Sequence, residues 1–255
     1  MPIIQAVERA LLILDLFQDQ QTELKITEIS VRMSLHKSTV HSLLKTLQLH
    51  QYIEQNPANG CYRLGMKLVE RGQYVLSHLD LRNVAAPVLQ QLTEQTGQTS
   101  NLVILEGKEG IFIDKMEGAQ AVIRYSRIGR KIPLHCSAVG KVLLAFQPAH
   151  KIELLLQNYN YVHHTEFTID NEERLRKELK QVINQQYAID NQENEVGVRC
   201  LAAPVYDVSG HIVAAVSIST LVSRVSHDQL LERVPILQKT CEEISRRLGF
   251  NFKRR

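Results

Sequence analysis

The chain has 255 residues, 44% hydrophobic and 22% charged, a globular composition that argues against whole-chain disorder and a length for one large domain or two ordinary ones. No run reaches about 18 apolar residues, and residues 1–9 lack the parts of a signal peptide, so a membrane span and secretion are disfavoured and a cytoplasmic location is expected. The net charge of +3 is too small to mark a nucleic-acid binder, and Cys61, Cys136, Cys200 and Cys241, without a CxxC pair, read as reduced thiols.

Val7, Ala10, Leu11, Leu14 and Phe17 recur at three- and four-residue spacing, the stripe of an amphipathic first helix. After a polar loop, Thr27 stands as N-cap of a short second helix running to about Met33, with Glu28 favouring its start. A third helix begins near Lys37, with Val40, Leu43, Leu44 and Leu47 on one face. Tyr52-Ile53 and Tyr62-Arg63-Leu64 flank Asn56-Pro57-Ala58-Asn59-Gly60, a turn-former run, and predict a hairpin. Residues 66–78 read as a connecting helix with Leu68, Val75, Leu76 and Leu79 as its stripe.

Beyond it, the pattern predicts a helix over 81–96 and strands over 101–106, 111–115 and 122–126. Helices are expected over 139–146, 151–158 and 172–185, then strands over 198–206 and 212–220 around the turn Asp207-Val208-Ser209-Gly210. Ser226 and Gln229 have capping-box spacing for a last helix to Leu248, which Pro235 kinks or restarts. The class is α+β. Residues 1–65 form a winged helix-turn-helix, 66–79 a connecting helix, 80–250 an antiparallel-sheet domain and 251–255 a basic tail.

In a helix-turn-helix pair the second helix enters the major groove, N-terminal residues foremost. The third helix offers Lys37, Ser38, Thr39, His41, Ser42, Lys45 and Thr46 opposite its apolar face, with no carboxylate between Lys37 and Tyr52. The first 65 residues carry six Lys/Arg and six Asp/Glu, yet from Arg32 to Arg63 four basic residues face Glu54 alone. That segregation suits phosphate contact, with Arg63 reaching the adjacent backbone or minor groove. A solvated polar face or a protein-interaction module is the alternative that the pattern alone leaves open.

Ile26-Thr27-Glu28-Ile29 followed by Lys37-Ser38-Thr39-Val40-His41 resembles the helix-turn-helix of IclR-type bacterial transcription regulators. The resemblance continues through Tyr62-Arg63-Leu64-Gly65, Pro133-Leu134-His135-Cys136-Ser137-Ala138-Val139-Gly140-Lys141, Glu195-Val196-Gly197-Val198-Arg199-Cys200-Leu201-Ala202-Ala203-Pro204-Val205 and Val216-Ser217-Ile218-Ser219. These blocks cover nearly the whole chain in the family's order. Residues 125–130 beside the Pro133 block are similar to the branch that senses 2-keto-3-deoxygluconate and related sugar acids. Two positions depart: Ser34 stands where relatives commonly have Gly, and His36 where Pro is frequent.

The resemblance implies a PAS/GAF-like effector domain that binds a small carboxylate, and a repressor acting as a homodimer or dimer of dimers on a pseudo-palindromic double-stranded DNA operator. DNA contact is expected on Thr27, Lys37, Ser38, Thr39, His41, Ser42, Lys45 and Arg63, from the helix face and wing described above. The resemblance places effector contact on Ala138 and Val139 in the loop before Gly140-Lys141, and on Asp190, Cys200, Ser217 and Ser219. Ser217 and Ser219 alternate along a strand, so both hydroxyls share a face. Asp190 would accept from ligand hydroxyls or share a proton with the acid. Ala138-Val139 replaces the Gly-Ala of relatives with glyoxylate- or pyruvate-sized ligands, which alters the pocket wall.

No cofactor is implied. Gly140-Lys141 resembles the end of a phosphate-binding loop, but His135 and Val142 break the GxxxxGK[ST] pattern, and GxSxG and HExxH are both missing. His163-His164, His135-Cys136 and Cys200 carry metal-ligating side chains at uninformative spacing. The rival to a regulator is a small-molecule enzyme in the second domain with the first mediating interactions.

Overall fold

The computed structural model describes residues 3–17, 22–77, 80–118 and 126–251, and the chain divides into two compact units, 1–78 and 79–255. In the first, α1 (Gln5–Asp15), α2 (Ile26–Met33) and α3 (Lys37–Leu49) close around Ile13, Ile29, Val40 and Leu44. An antiparallel wing, β1 (Ile53–Gln55) and β2 (Tyr62–Leu64), adds Ile53 and Tyr62 to that core. Gly65 lets the wing leave past the end of α3, since a Cβ there would lie 2.2 Å from the Gln51 carbonyl oxygen. The connecting helix is α4 (Lys67–Ser77).

Two expectations for this unit are corrected. The α1 stripe buries only in part: Ala10, Leu14 and Phe17 are half-buried, the last two against the core, whereas Val7 and Leu11 are 55% and 57% exposed and Ile13, outside the stripe, is wholly buried. The run Ala10-Leu11-Leu12-Ile13-Leu14 is apolar on several sides, so periodicity alone selects between two faces. Thr27 is not the N-cap of α2. Leu24 bridges to Tyr62, the chain turns helical straight after it, and Lys25 caps, its backbone N–H donating to the Glu28 carboxylate at 2.7 Å. Ser34, where relatives commonly have Gly, takes the left-handed conformation, φ 52°, which is uncommon for a residue with a side chain.

The second unit opens with α5 (Asp80–Thr96) and is built on a six-stranded antiparallel sheet. Its strands are β3 (Thr99–Glu106), β4 (Glu109–Met116), β5 (Lys131–Pro133), β6 (Ala188–Asn191), β7 (Val198–Tyr206) and β8 (Ile212–Leu221), in the order β5-β4-β3-β8-β7-β6. Period-two alternation sends Val103, Phe112, Ala202 and Ala215 to one face, under α6 (Ala138–Ala145) and α8 (Glu172–Gln185), with α7 (Ala149–Leu156) beside them. Leu102, Ile113, Leu201, Ala203 and Val216 point the other way, toward α5 and, after α9 (His227–Leu231), α10 (Val234–Arg247).

Strands β5 and β6 were not expected; at three and four residues they are too short to show a period. The strand expected over 122–126 falls outside the described residues except Ser126, which lies in a loop, and tail residues 252–255 are also outside them. The last helix is two helices. The Ser226/Gln229 capping box opens α9, and Pro235 sits in the first turn of α10, where its missing N–H costs nothing.

Candidate functional site

The first unit presents α3 with Val40 and Leu44 turned into the core and Lys37, Ser38, His41, Ser42, Lys45 and Thr46 exposed along the opposite side. Thr39 is half-buried, and Thr27 is exposed as the second residue of α2. Ser42 Oγ donates to the Ser38 carbonyl and Thr46 Oγ1 to the Ser42 carbonyl, which leaves their oxygens as acceptors. Among the described residues Lys37 and Lys45 make no salt bridge. Arg63 differs: its guanidinium pairs with Glu54 at 3.1 Å across the wing, so it reaches a phosphate only by leaving an exposed partner. Such surface pairs are weak, at about 0–1 kcal/mol.

In the second unit the structure brings Ala138, Val139, Asp190, Cys200, Ser217 and Ser219 to the lining of one cavity, with Phe112, Ile132 and Ser137 completing it. Register explains the convergence. Cys200 pairs with both Asp190 and Ser219, and Ala202 with Ser217, so these side chains share the face beneath α6. Ala138 and Val139 are not in a loop; they open α6, whose N-cap Ser137 accepts from Gly140 N–H at 3.0 Å and donates to the Pro133 carbonyl at 2.6 Å. A Cβ on Gly140 would stand 2.4 Å from that same carbonyl oxygen, so only glycine allows this approach. The first N–H groups of such a helix are left to their surroundings and favour anions.

The chemistry of the pocket is nearly neutral. Asp190 is buried and accepts from the backbone N–H groups of Glu193 at 2.7 Å and Asn194 at 3.4 Å. Burial first, and then the neighbouring Glu193, push its carboxyl up to about 7, against the pull of Lys141. Lys141 is wholly buried in α6 and donates to Glu178 at 3.0 Å, to Glu193 at 2.7 Å and to the Ile189 carbonyl. Burial opposes its charge, but Glu193 and Glu178 prevail and hold the ammonium form. This lysine is committed to carboxylates rather than phosphate, which disposes of the phosphate-loop resemblance. Ser219 accepts from Cys200 Sγ at 3.2 Å.

The sequence reading missed Asn101, whose Nδ2 donates to Ser217 Oγ at 3.4 Å and Ser219 Oγ at 3.3 Å. It also missed Lys141, although one charge within Ala138–Ala145, an otherwise apolar helix, signals a buried pair. Of the metal-ligating residues, His135, Cys136 and His164 converge with donor atoms within 4.8 Å, and Cys200 is not among them. Both ring nitrogens of His135 are engaged: Nε2–H donates to the Val162 carbonyl at 3.0 Å, and Nδ1 meets Tyr159 OH at 3.2 Å. Burial holds the Cys136 thiol protonated. The cluster anchors the Tyr159–His164 loop to residues 134–136.

A winged helix-turn-helix followed by an antiparallel-sheet unit defines a DNA-binding regulator. Residues 6–57 match the IclR helix-turn-helix domain and residues 73–246 the bacterial transcriptional regulator IclR C-terminal domain. The HTH-type transcriptional regulator XynR of Escherichia coli K12 is 53% identical over 98% of this chain and 99% of its own. KdgR of the same organism, another HTH-type transcriptional regulator, is 36% identical over 91% of this chain and 88% of its own. An IclR homolog complexed with 4-hydroxybenzoate, from Microbacterium hydrocarbonoxydans, superposes with a TM-score of 0.82 at 25% identity, covering 95% of this chain and 98% of that one. The chain belongs to the IclR family of bacterial transcriptional regulators and is not an enzyme.

Proposed function

We propose that this protein is a cytoplasmic, ligand-responsive repressor of sugar-acid catabolic genes. It binds a pseudo-palindromic operator as a homodimer or dimer of dimers, and its DNA affinity is set by a small carboxylate. Lys37, Ser38, Thr39, His41, Ser42 and Lys45 meet the major groove, with Thr27 and Arg63 on the flanking backbone. The observation that carries the effector half is the convergence of six residues from separate stretches, 138–139, 190, 200 and 217–219, on one cavity. The pairing of a family member with 4-hydroxybenzoate, a small acid, supports the ligand class.

The cavity is about 10 Å3, room for a single water. A sugar acid therefore enters only when α6 and the sheet move apart, and the effector selects that opened state over the closed one. The helix start and the serine hydroxyls hold the carboxylate, with Asp190 protonated beside it. Two copies meet through α1, where Val7, Leu11 and Leu12 stand exposed beside Ile3 and Ile4, a patch that a two-fold DNA-binding dimer would cover. A gel-shift assay on the cell's own upstream fragments tests the whole reading. A retarded fragment released by a sugar acid is the expected result. Retardation that no sugar acid relieves removes the effector half, and retardation of no fragment removes the DNA-binding assignment of α3.

A further inference from the structure

We infer that Asn101 is a specificity residue of the effector pocket, reading a hydroxyl group on the ligand; this rests on the pocket assignment above. Asn101 lies on β3 directly opposite Ser217 of β8, and Thr99 lies opposite Ser219, so the amide shares a sheet face with both serines. Its Nδ2 donates to the two serine oxygens. Its Oδ1 has no hydrogen-bond partner, and the residue is 0% exposed.

An orphaned buried carbonyl is expensive, because the group has lost its water and gained nothing in return. An apolar or β-branched residue would satisfy the sheet at this position without that cost. A polar group kept unpaired one hydrogen bond behind a ligand cavity is explained when the ligand itself supplies the missing donor. The two ends of the amide then have separate tasks. Nδ2 occupies a lone pair of Ser217 and turns that serine into a donor, which suits a carboxylate. Oδ1 accepts, so it suits an O–H farther along the ligand's carbon chain and discriminates against an acid that has only hydrogens there. A site built around a buried acceptor rejects a ligand lacking the matching donor far more strongly than an apolar wall rejects an extra group.

The ligand class is therefore a hydroxylated carboxylate rather than a plain keto acid. Calorimetry on the full-length protein with 2-keto-3-deoxygluconate and with 2-oxohexanoate, the same six-carbon keto acid without hydroxyls, reads this directly. Wild type is expected to bind the hydroxylated acid at least about tenfold more tightly. Asn101→Leu is expected to bring the two affinities within about twofold, chiefly by weakening the hydroxylated acid, while the ligand-free melting temperature is unchanged or higher. Asn101→Thr serves the same comparison where Leu does not fold. An unchanged affinity ratio in these variants, or a lowered melting temperature with the ratio intact, overturns the inference and leaves Asn101 a structural residue. If wild type binds neither acid, or Ser217→Ala binds both as wild type does, the pocket assignment fails and takes this inference with it. Loss of the ratio in Asn101→Leu, with Ser217→Ala weakened for both acids, supports the inference and leaves the pocket assignment standing.

Discussion

Lys141 Nζ and the Glu193 carboxylate lie 2.7 Å apart with the lysine wholly buried. The pair ties α6, whose first turn carries Ala138 and Val139, to the turn after β6, whose Asp190 lines the same cavity. Buried pairs are worth little against a well-packed apolar replacement, but removing one partner strands the other. Lys141→Ala is expected to destabilise the protein by about 3–5 kcal/mol. Lys141→Met combined with Glu193→Leu and Glu178→Gln should cost much less. Urea unfolding of the two variants checks this; equal losses would mean that packing, not stranded charge, dominates.

Effector binding should weaken with rising pH. Asp190 is raised from 3.8 to about 7, by burial and then Glu193, with Lys141 opposing and the buried Cys136 thiol nearby. In the proposed pose the carboxyl would carry its proton below about 7 and donate to the ligand's carboxylate; above it, two anions would face each other. Affinity for a sugar acid should be flat below pH 6 and fall toward about tenfold per unit well above 7. The same raised value favours the folded state fully below 3.8, a contribution lost as pH rises through about 7. Calorimetry from pH 5.5 to about 8.5 tests the slope, and Asp190→Asn should flatten it. A pH-dependent Asp190→Asn protein would assign the proton elsewhere.

On the DNA side, Lys37→Ala and Lys45→Ala should each weaken binding to every sequence alike and lower the salt slope by about one. Thr39, His41 and Ser42 should instead alter base preference. Arg63→Ala is expected to have a smaller effect than either lysine, because Glu54 already occupies its guanidinium. Fluorescence anisotropy across a salt series measures all of these, and unchanged slopes for both lysine variants would mean that α3 does not lie in the groove as proposed.

The elements that a sequence can show are those long enough to repeat. The helix Glu172–Gln185 and the strand Val198–Tyr206 stand as the periodicity and turn residues predict. The three-residue β5 and four-residue β6 carry no period, and α1 offers two apolar faces between which spacing cannot choose. The pocket residues were legible through the family resemblance rather than through spacing, since their convergence depends on strand register. Asn101 was invisible on both counts: nothing in Ser100-Asn101-Leu102 tells that register sets it against Ser217.

The exposed face of α1 supplies an assembly prediction. Val7→Lys with Leu11→Lys replaces two residues that are 55% and 57% exposed, so the first unit should keep its fold. The dimer, and with it operator binding, should be lost. Analytical ultracentrifugation at micromolar protein separates the cases; a double variant that stays dimeric would place the interface on another surface.

The central claim is that one cavity in the second unit governs DNA affinity in the first. Anisotropy of a labelled operator fragment, titrated with wild type and with Ser217→Ala, Ser219→Ala and Asp190→Ala in the presence and absence of 2-keto-3-deoxygluconate, tests it most directly. All four proteins should bind the fragment with similar affinity in the absence of the acid, and only wild type should release it when the acid is added. Release of the fragment from all three variants at the wild-type concentration of acid would contradict the account.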